Sequence, residues 1–316
     1  MRRSFLFIVL LALFAVPPAF ADGGPSPGVM QGWDGVEAPS SAVRYVAVST
    51  GSDTVLAAVR TRGGRIEQFS THKGNWGVPL VTNGGDTDGL SRDGRTLVLA
   101  EVPQSPALRR SSSFLFVDTR TLRQRKVVTL RGDFAFDALS PDARTLYLIQ
   151  HVSQTDLTRY VVRAYDLERD GLLPGRIADR TQRGWVMQGY PIARATSADG
   201  RWAYTLYRND GGYPFVHALD TVLGKAHCVG LPWRSANQDP LWSIRLSVVN
   251  SGRLLALDWP RGDRYLGIDT RTFRLVRPRA GEGDAAGWWT AGGSAAAALL
   301  LIVPLGLFSF RRRRRL

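Results

Sequence analysis

Cysteine is almost missing from this 316-residue chain: Cys228 stands alone, so no internal disulfide can form and the core alone must hold the fold. It lies in the apolar run His227-Cys228-Val229-Gly230-Leu231, the setting of a buried, inert thiol. Lysine supplies only three of the 41 basic residues, and the arginines are scattered among carboxylates instead of gathered in one stripe, which argues against nucleic acid as a partner. Between residues 22 and 287 no stretch keeps a helical period over about ten residues, which sets aside α/β architectures. Catalytic signatures are missing as well: no His-Glu-x-x-His, no Gly-x-Ser-x-Gly, no phosphate-binding loop and no Cys/His cluster with zinc spacing. The four histidines, His72, His151, His217 and His227, have no paired spacing. No cofactor, no metal and no catalytic residue is expected on these grounds.

Two terminal segments are plain in what remains. Residues 1–21 pair Arg2 and Arg3 with an apolar core and an Ala19-Phe20-Ala21 end, the layout of a secretory signal peptide. No cysteine directly follows its apolar core, which sets aside a lipoprotein anchor. Residues 288–310 carry no charge and are followed by Arg311 to Arg315, so they read as one transmembrane helix with a cytoplasmic arginine tail, 311–316. The rival reading is a trimmed sorting tail after Gly292-Gly293-Ser294, although no Leu-Pro-x-Thr-Gly precedes it. The segments divide into an N-terminal linker at 22–42, a folded region at 43–277 and a juxtamembrane linker at 278–287. Of the formal charge of +14, the two terminal segments hold seven positive charges and 22–287 the other +7. The expected address is the cytoplasmic membrane, single-pass, with 22–287 extracytoplasmic; a cytosolic enzyme and a polytopic transporter are excluded.

Within that region one pattern recurs. Ser91-Arg-Asp-Gly-Arg-Thr-Leu-Val-Leu, Ser140-Pro-Asp-Ala-Arg-Thr-Leu-Tyr-Leu, Ser197-Ala-Asp-Gly-Arg-Trp-Ala-Tyr-Thr and Asn250-Ser-Gly-Arg-Leu-Leu-Ala-Leu each join a tight turn to an alternating apolar strand. A second pattern ends a strand in an Asp-led turn at Asp118, Asp166, Asp220 and Asp269. Asp93, Asp142, Asp199 and Ser251 are spaced by 49, 57 and 52 residues, and the second set by 48, 54 and 49, so the two patterns drift in step. Residues 45–69 look like a further, degenerate unit. A unit of this length with four short strands is a propeller blade, giving an all-β fold of five blades, with six as the alternative. The Ser-Pro-Asp-Gly-Arg-x-Leu-Tyr turn and strand resembles the repeat of bacterial TolB-like and YVTN-type β-propellers across most of 43–277. That resemblance implies blade architecture and says little about activity, since the family includes scaffolds, sensors and enzyme-associated modules. A strand at 43–49 is expected to pair with the last blade and close the ring. Leu97, Leu99, Leu146, Leu148, Leu255 and Leu257 alternate after the turns and are expected to pack between blades.

Two local features could serve a site. Asn83-Gly-Gly-Asp-Thr-Asp-Gly spaces Asp86 and Asp88 as the first two ligands of a calcium loop, but Leu90 takes the third ligand position and Leu97 the place of the bidentate Glu, so it reads as a polar turn. Trp76, Trp185, Tyr190, Tyr213 and Trp242 each neighbour Gly, Asn, Gln or Asp in a segment between strands, and are the candidates for a docking rim. The favoured function is a non-catalytic module binding an envelope protein or glycan, anchored to the membrane by its C-terminal helix. The alternative is an extracytoplasmic propeller hydrolase or lyase, which a carboxylate and a histidine converging at the axial mouth would favour.

Overall fold

Strand ends are set by the recurring turns. In three of them one network repeats: the serine hydroxyl donates to the aspartate two residues on (Ser91 to Asp93, 2.7 Å; Ser140 to Asp142, 2.6 Å; Ser197 to Asp199, 2.5 Å), and the same carboxylate accepts the following arginine N–H. Asp118, Asp166, Asp220 and Asp269 each accept two backbone N–H groups from the residues two and three ahead. Four residues after each of these aspartates the backbone turns left-handed, at Leu122, Asp170, Gly224 and Phe273.

The structure, a computed structural model, describes residues 28–38, 42–104, 108–156, 158–179, 186–262 and 264–277. The signal-peptide and transmembrane readings, and Trp185, lie outside the described residues. In chain order the strands are β1 (Val29–Met30), β2 (Val36–Glu37), β3 (Val43–Ser49), β4 (Asp53–Arg60) and β5 (Ile66–Lys73). Next come β6 (Trp76–Pro79), β7 (Thr96–Glu101), β8 (Ser111–Asp118) and β9 (Arg123–Arg131), then β10 (Phe134–Leu139), β11 (Thr145–His151), β12 (Arg159–Asp166), β13 (Gly171–Leu172) and β14 (Met187–Gln188). The last two groups are β15 (Tyr190–Thr196), β16 (Trp202–Arg208), β17 (Phe215–Asp220) and β18 (Lys225–Gly230), and β19 (Arg245–Val249), β20 (Leu254–Asp258), β21 (Arg264–Asp269) and β22 (Leu275–Val276). They form five antiparallel sheets in succession: β2-β3-β4-β5, β1-β6-β7-β8-β9, β10-β11-β12-β13 with β14 on β12, β15-β16-β17-β18, and β19-β20-β21-β22. Residues 28–38, read above as linker, thus contribute β1 to the second sheet and β2 to the first. The expected closure through 43–49 is not what that segment does: β3 is bonded on both sides, to β2 and β4, so neither edge is left for the last sheet.

The sheets pack face to face. Core clusters join the first sheet to the second (Leu56, Leu97, Leu99), the second to the third (Phe114, Leu146, Leu148), the third to the fourth (Ile149, Tyr160, Tyr207) and the fourth to the fifth (Leu206, Leu255, Leu257). The alternating leucines all face the preceding sheet, as expected. In β11 the intervening Tyr147 and Ile149 are buried against the next one.

The inner strands converge on an axis. A hairpin inserted between β6 and β7 bridges Leu80 to Thr87 and reaches past the third sheet: Asn83 N–H donates to Pro191 O on β15 at 2.8 Å, and Arg194 N–H donates to Asp86 at 2.9 Å. Gly84 sits so close that a β-carbon there would be 2.4 Å from Ile192 O. The second and fourth sheets can meet only if the sheets are arranged radially, as blades. Two-residue links at 74–75 and 132–133 bring each next sheet in where the last one ended. One end of the array of sheets therefore carries these connections and is called the loop end; the other carries the Asp-led turns and is the turn end.

Candidate functional site at the loop end

At the loop end the fourth and fifth sheets build a platform. A 3-10 turn, Asp239–Ser243, leads into β19, and Gln238 before it is buried. The Gln238 amide accepts from Asn209 N–H at 2.9 Å and donates to Asn209 O and Gly212 O at 2.8 and 2.9 Å. That staple fixes the β16–β17 turn, which carries Tyr213, to the turn that carries Trp242. Arg208 bridges the two again, pairing with Asp210 and with Asp239, each at 2.8 Å. Tyr213 is 71% exposed and Trp242 42% exposed, so two rings stand in solvent on a fixed base.

Beside Trp242 a groove of about 440 Å³ runs toward the axis between the 80–87 hairpin, β15 and β19. Asp86, Ile192, Trp242, Arg245 and Pro260 are on its walls, with no histidine among the lining residues. The Asp86 carboxylate is already engaged by the Thr82 hydroxyl at 2.8 Å and by Arg194 N–H, which explains the Asn83–Gly89 sequence without a cation. Behind this wall the Arg194 guanidinium is buried and donates to the Asp137 carboxylate at 2.5 Å and to Asp137 O at 2.9 Å. Burial works against the Arg194 charge, and Asp137 and Asp88 more than offset it. Burial pushes the Asp88 carboxyl up, partly countered by Arg194.

Of the five rim candidates, strand order puts the four described ones at the loop end, but only Trp242 lines the groove. Tyr213 shares its platform. Tyr190, the first residue of β15, is half-buried against the core between the fourth and fifth sheets. Trp76 is 7% exposed, packed between the first and second sheets with its indole N–H donating to Lys73 O at 2.6 Å. Arg194, Asp137, Gln238 and Arg245 were not singled out by sequence; the available signal was an arginine in the middle of β15, a strand covered on both faces.

The histidines lie elsewhere. Burial pushes His217 down to about 4, so its ring is neutral at ordinary pH. Burial also lowers His72, which bonds Ser70 at 2.8 Å. His151, buried, approaches the partly buried Asp133 at 3.3 Å, and Arg109 donates to the same carboxylate at 2.7 Å. Burial opposes ionisation of Asp133, but His151 and Arg109 together hold it at about 2. This is a histidine beside a carboxylate at the loop end, yet it is buried and off the groove. Among the described residues no group of three or more His, Cys, Asp or Glu could hold a metal ion.

The architecture defines the class: an all-β repeat protein of five blade-like sheets. No family model and no curated sequence matches the chain. Among solved structures it is similar to a putative TolB from Agrobacterium tumefaciens (13% identity over 73% of this chain and 75% of that one, TM-score 0.40). It is also similar to Kuenenia stuttgartiensis hydrazine synthase (14%, 78% and 77%, TM-score 0.40) and to the Dos1 propeller (11%, 76% and 56%, TM-score 0.43).

Proposed function

We propose that the chain is an extracytoplasmic propeller, held on the cytoplasmic membrane by 288–310, that binds an envelope glycan through its loop end. The observation that carries this reading is the stapled platform: Tyr213 and Trp242 exposed beside guanidinium, carboxylate and amide groups, next to a groove. Such a surface offers apolar ring faces to the C–H face of a sugar and hydrogen-bonding groups to its hydroxyls. Because Gln238 and Arg208 fix both turns before any ligand arrives, little ordering entropy is lost on binding. Binding is favoured over turnover because the Asp86 carboxylate on the groove wall is held by the Thr82 hydroxyl and the Arg194 N–H.

The test is capture of envelope fragments by the full chain in detergent, with and without prior glycan digestion. Trp242→Ala and Tyr213→Ala should each weaken capture by about tenfold, and glycan digestion should abolish it. Capture that survives digestion but not protease treatment would move the reading to a protein partner. Topology is tested separately: a reporter fused after Leu316 should be active only in the cytoplasm.

A further inference from the structure

Of the described tryptophans only Trp33 and Trp242 are exposed, and Trp33, at 61%, is the more open of the two. It lies in the segment 31–35 that joins β1 to β2. β1 runs inside β6 and β2 inside β3, so this segment belongs to the axial edge of both the second and the first sheet. The Gln31 amide donates to Asn75 Oδ1 at 2.6 Å and to Trp76 O at 2.8 Å, and Asn75 is part of the 74–75 link, which places the segment at the loop end. Its backbone is held on both sides of the indole. Gly32 N–H donates to Ala47 O at 2.8 Å, and Gly35 is pressed so closely on β3 that a β-carbon there would be 1.9 Å from Tyr45 O. A tryptophan is normally well covered in a folded chain. Here a fixed backbone holds one in solvent, with the exposed carboxylate of Asp34 next to it in sequence.

The 80–87 hairpin connects this indole to the groove. The Thr87 hydroxyl donates to Gly35 O at 3.0 Å, and the preceding residue, Asp86, is on the groove wall with Trp242. Two residues separate Trp33 from Gly35, so the Trp33 backbone lies within roughly 20 Å of that wall. On its other side the hairpin is bonded to β15 of the fourth sheet through Asn83 and Asp86. Exposed aromatic side chains therefore stand on both sides of the hairpin: Tyr213 and Trp242 beside the fourth and fifth sheets, and Trp33 beside the first and second.

We infer that Trp33 and Asp34 form a second subsite of the loop-end site, and that its ligand is a linear glycan chain several units long, crossing the hairpin from Trp242 to Trp33, instead of a single terminal sugar. The inference rests on the glycan reading above. A single sugar ring is no larger than an indole and covers one of the two tryptophans at a time; only a chain reaches both. Once one part of such a chain is held, the rest meets the second indole at a high effective concentration. Affinity should therefore climb with chain length until both indoles are covered, and then level off. Because both backbones are fixed beforehand, the second contact costs the protein little ordering entropy.

The probes are fragments released from the envelope by partial glycan digestion and sorted by size, and the protein is the full chain in detergent. Hydroxyl-radical footprinting reads each indole separately. The shortest fragments should shield Trp242 alone, and longer ones should shield Trp242 and Trp33 together. Trp33→Ala should weaken the binding of long fragments by about tenfold and leave the shortest unchanged, whereas Trp242→Ala should weaken both. Trp33→Phe keeps an apolar ring and should retain most of the affinity for long fragments; undiminished shielding of Trp242 by the shortest fragments shows that either Trp33 variant is folded. Long fragments that shield Trp242 but not Trp33, or a W33A chain that binds every length as tightly as the native one, would overturn the second subsite and leave the glycan reading in place. If no fragment shields either indole, the glycan reading fails first and the subsite fails with it. Shielding of Trp33 by an envelope protein and by no glycan would assign that indole to a protein partner and overturn the proposal as well.

Discussion

Changing Asp137 to Asn tests whether the axis is held by charge. The Arg194 and Asp137 side chains are only 6% and 3% exposed, and their bond is the link between the inner strands of the third and fourth sheets. Removing Asp137 leaves the buried Arg194 charge with Asp88 and without its hydrogen-bonded counter-ion, a loss of up to about 3–5 kcal/mol. For a fold of this size each kcal/mol moves Tm by about 2–4 °C, so D137N should melt up to about 6–20 °C lower. The double variant Asp137→Leu/Arg194→Met, made in an Asp88→Asn background, removes all three charges of this cluster and should recover most of the loss. The assay is a double-mutant cycle by guanidinium unfolding of the full chain in detergent micelles, followed by tryptophan fluorescence. A cost under about 1 kcal/mol for D137N, or a double variant as unstable as the two single losses added together, would refute the reasoning.

Three further outcomes follow from the same packing. Leu148→Ala should cost about 2–5 kcal/mol, measured by denaturant midpoint, because Leu148 is fully buried between the second and third sheets. Ala143 holds a left-handed φ of 56° where the equivalent turns have Gly94 and Gly200, so Ala143→Gly should stabilise by about 0.5–1 kcal/mol; a loss of stability would contradict the turn reading. His217 falls from 6.5 to about 4 through burial, so the unfolded chain binds its proton first and stability is lost as pH drops through that window. The loss attributable to this ring is about 3 kcal/mol. His217→Gln should flatten the slope of stability against pH between 6.5 and 4; an unchanged slope would exclude His217 as its source.

Local chemistry was legible in the sequence and distant pairing was not. The serine-aspartate turns could be read because every partner lies within five residues, and the unit length followed from their spacing. Alternation after each turn placed Leu97, Leu148 and Leu257 in the core correctly, since a strand has only two faces. β1 and β2 are two residues each, too short to show any period, so 28–38 read as linker. Trp76 looked like a rim residue because its neighbours are polar, but its indole N–H finds Lys73 O and the ring turns inward. The Arg194–Asp137 bond joins positions 57 apart, and nothing near either residue announces the other. The Tyr213–Trp242 platform depends on Gln238, whose side-chain partners are 26 and 29 residues away.

The 80–87 hairpin bears on how the chain unfolds. Where each repeat touches only its neighbours, stability is a nearest-neighbour sum, and such an array can fray from either end in steps. Here the second sheet is tied to the fourth, by Asn83 to Pro191 and by Arg92 to Ala198 O at 2.5 Å, so opening either sheet breaks bonds made by the other. Those bonds cannot form until residues 191–198 have been synthesised, so the second sheet waits on the fourth for its last contacts. The array should therefore melt as one cooperative block across its second to fourth sheets, and any stepwise fraying should be confined to the first and fifth.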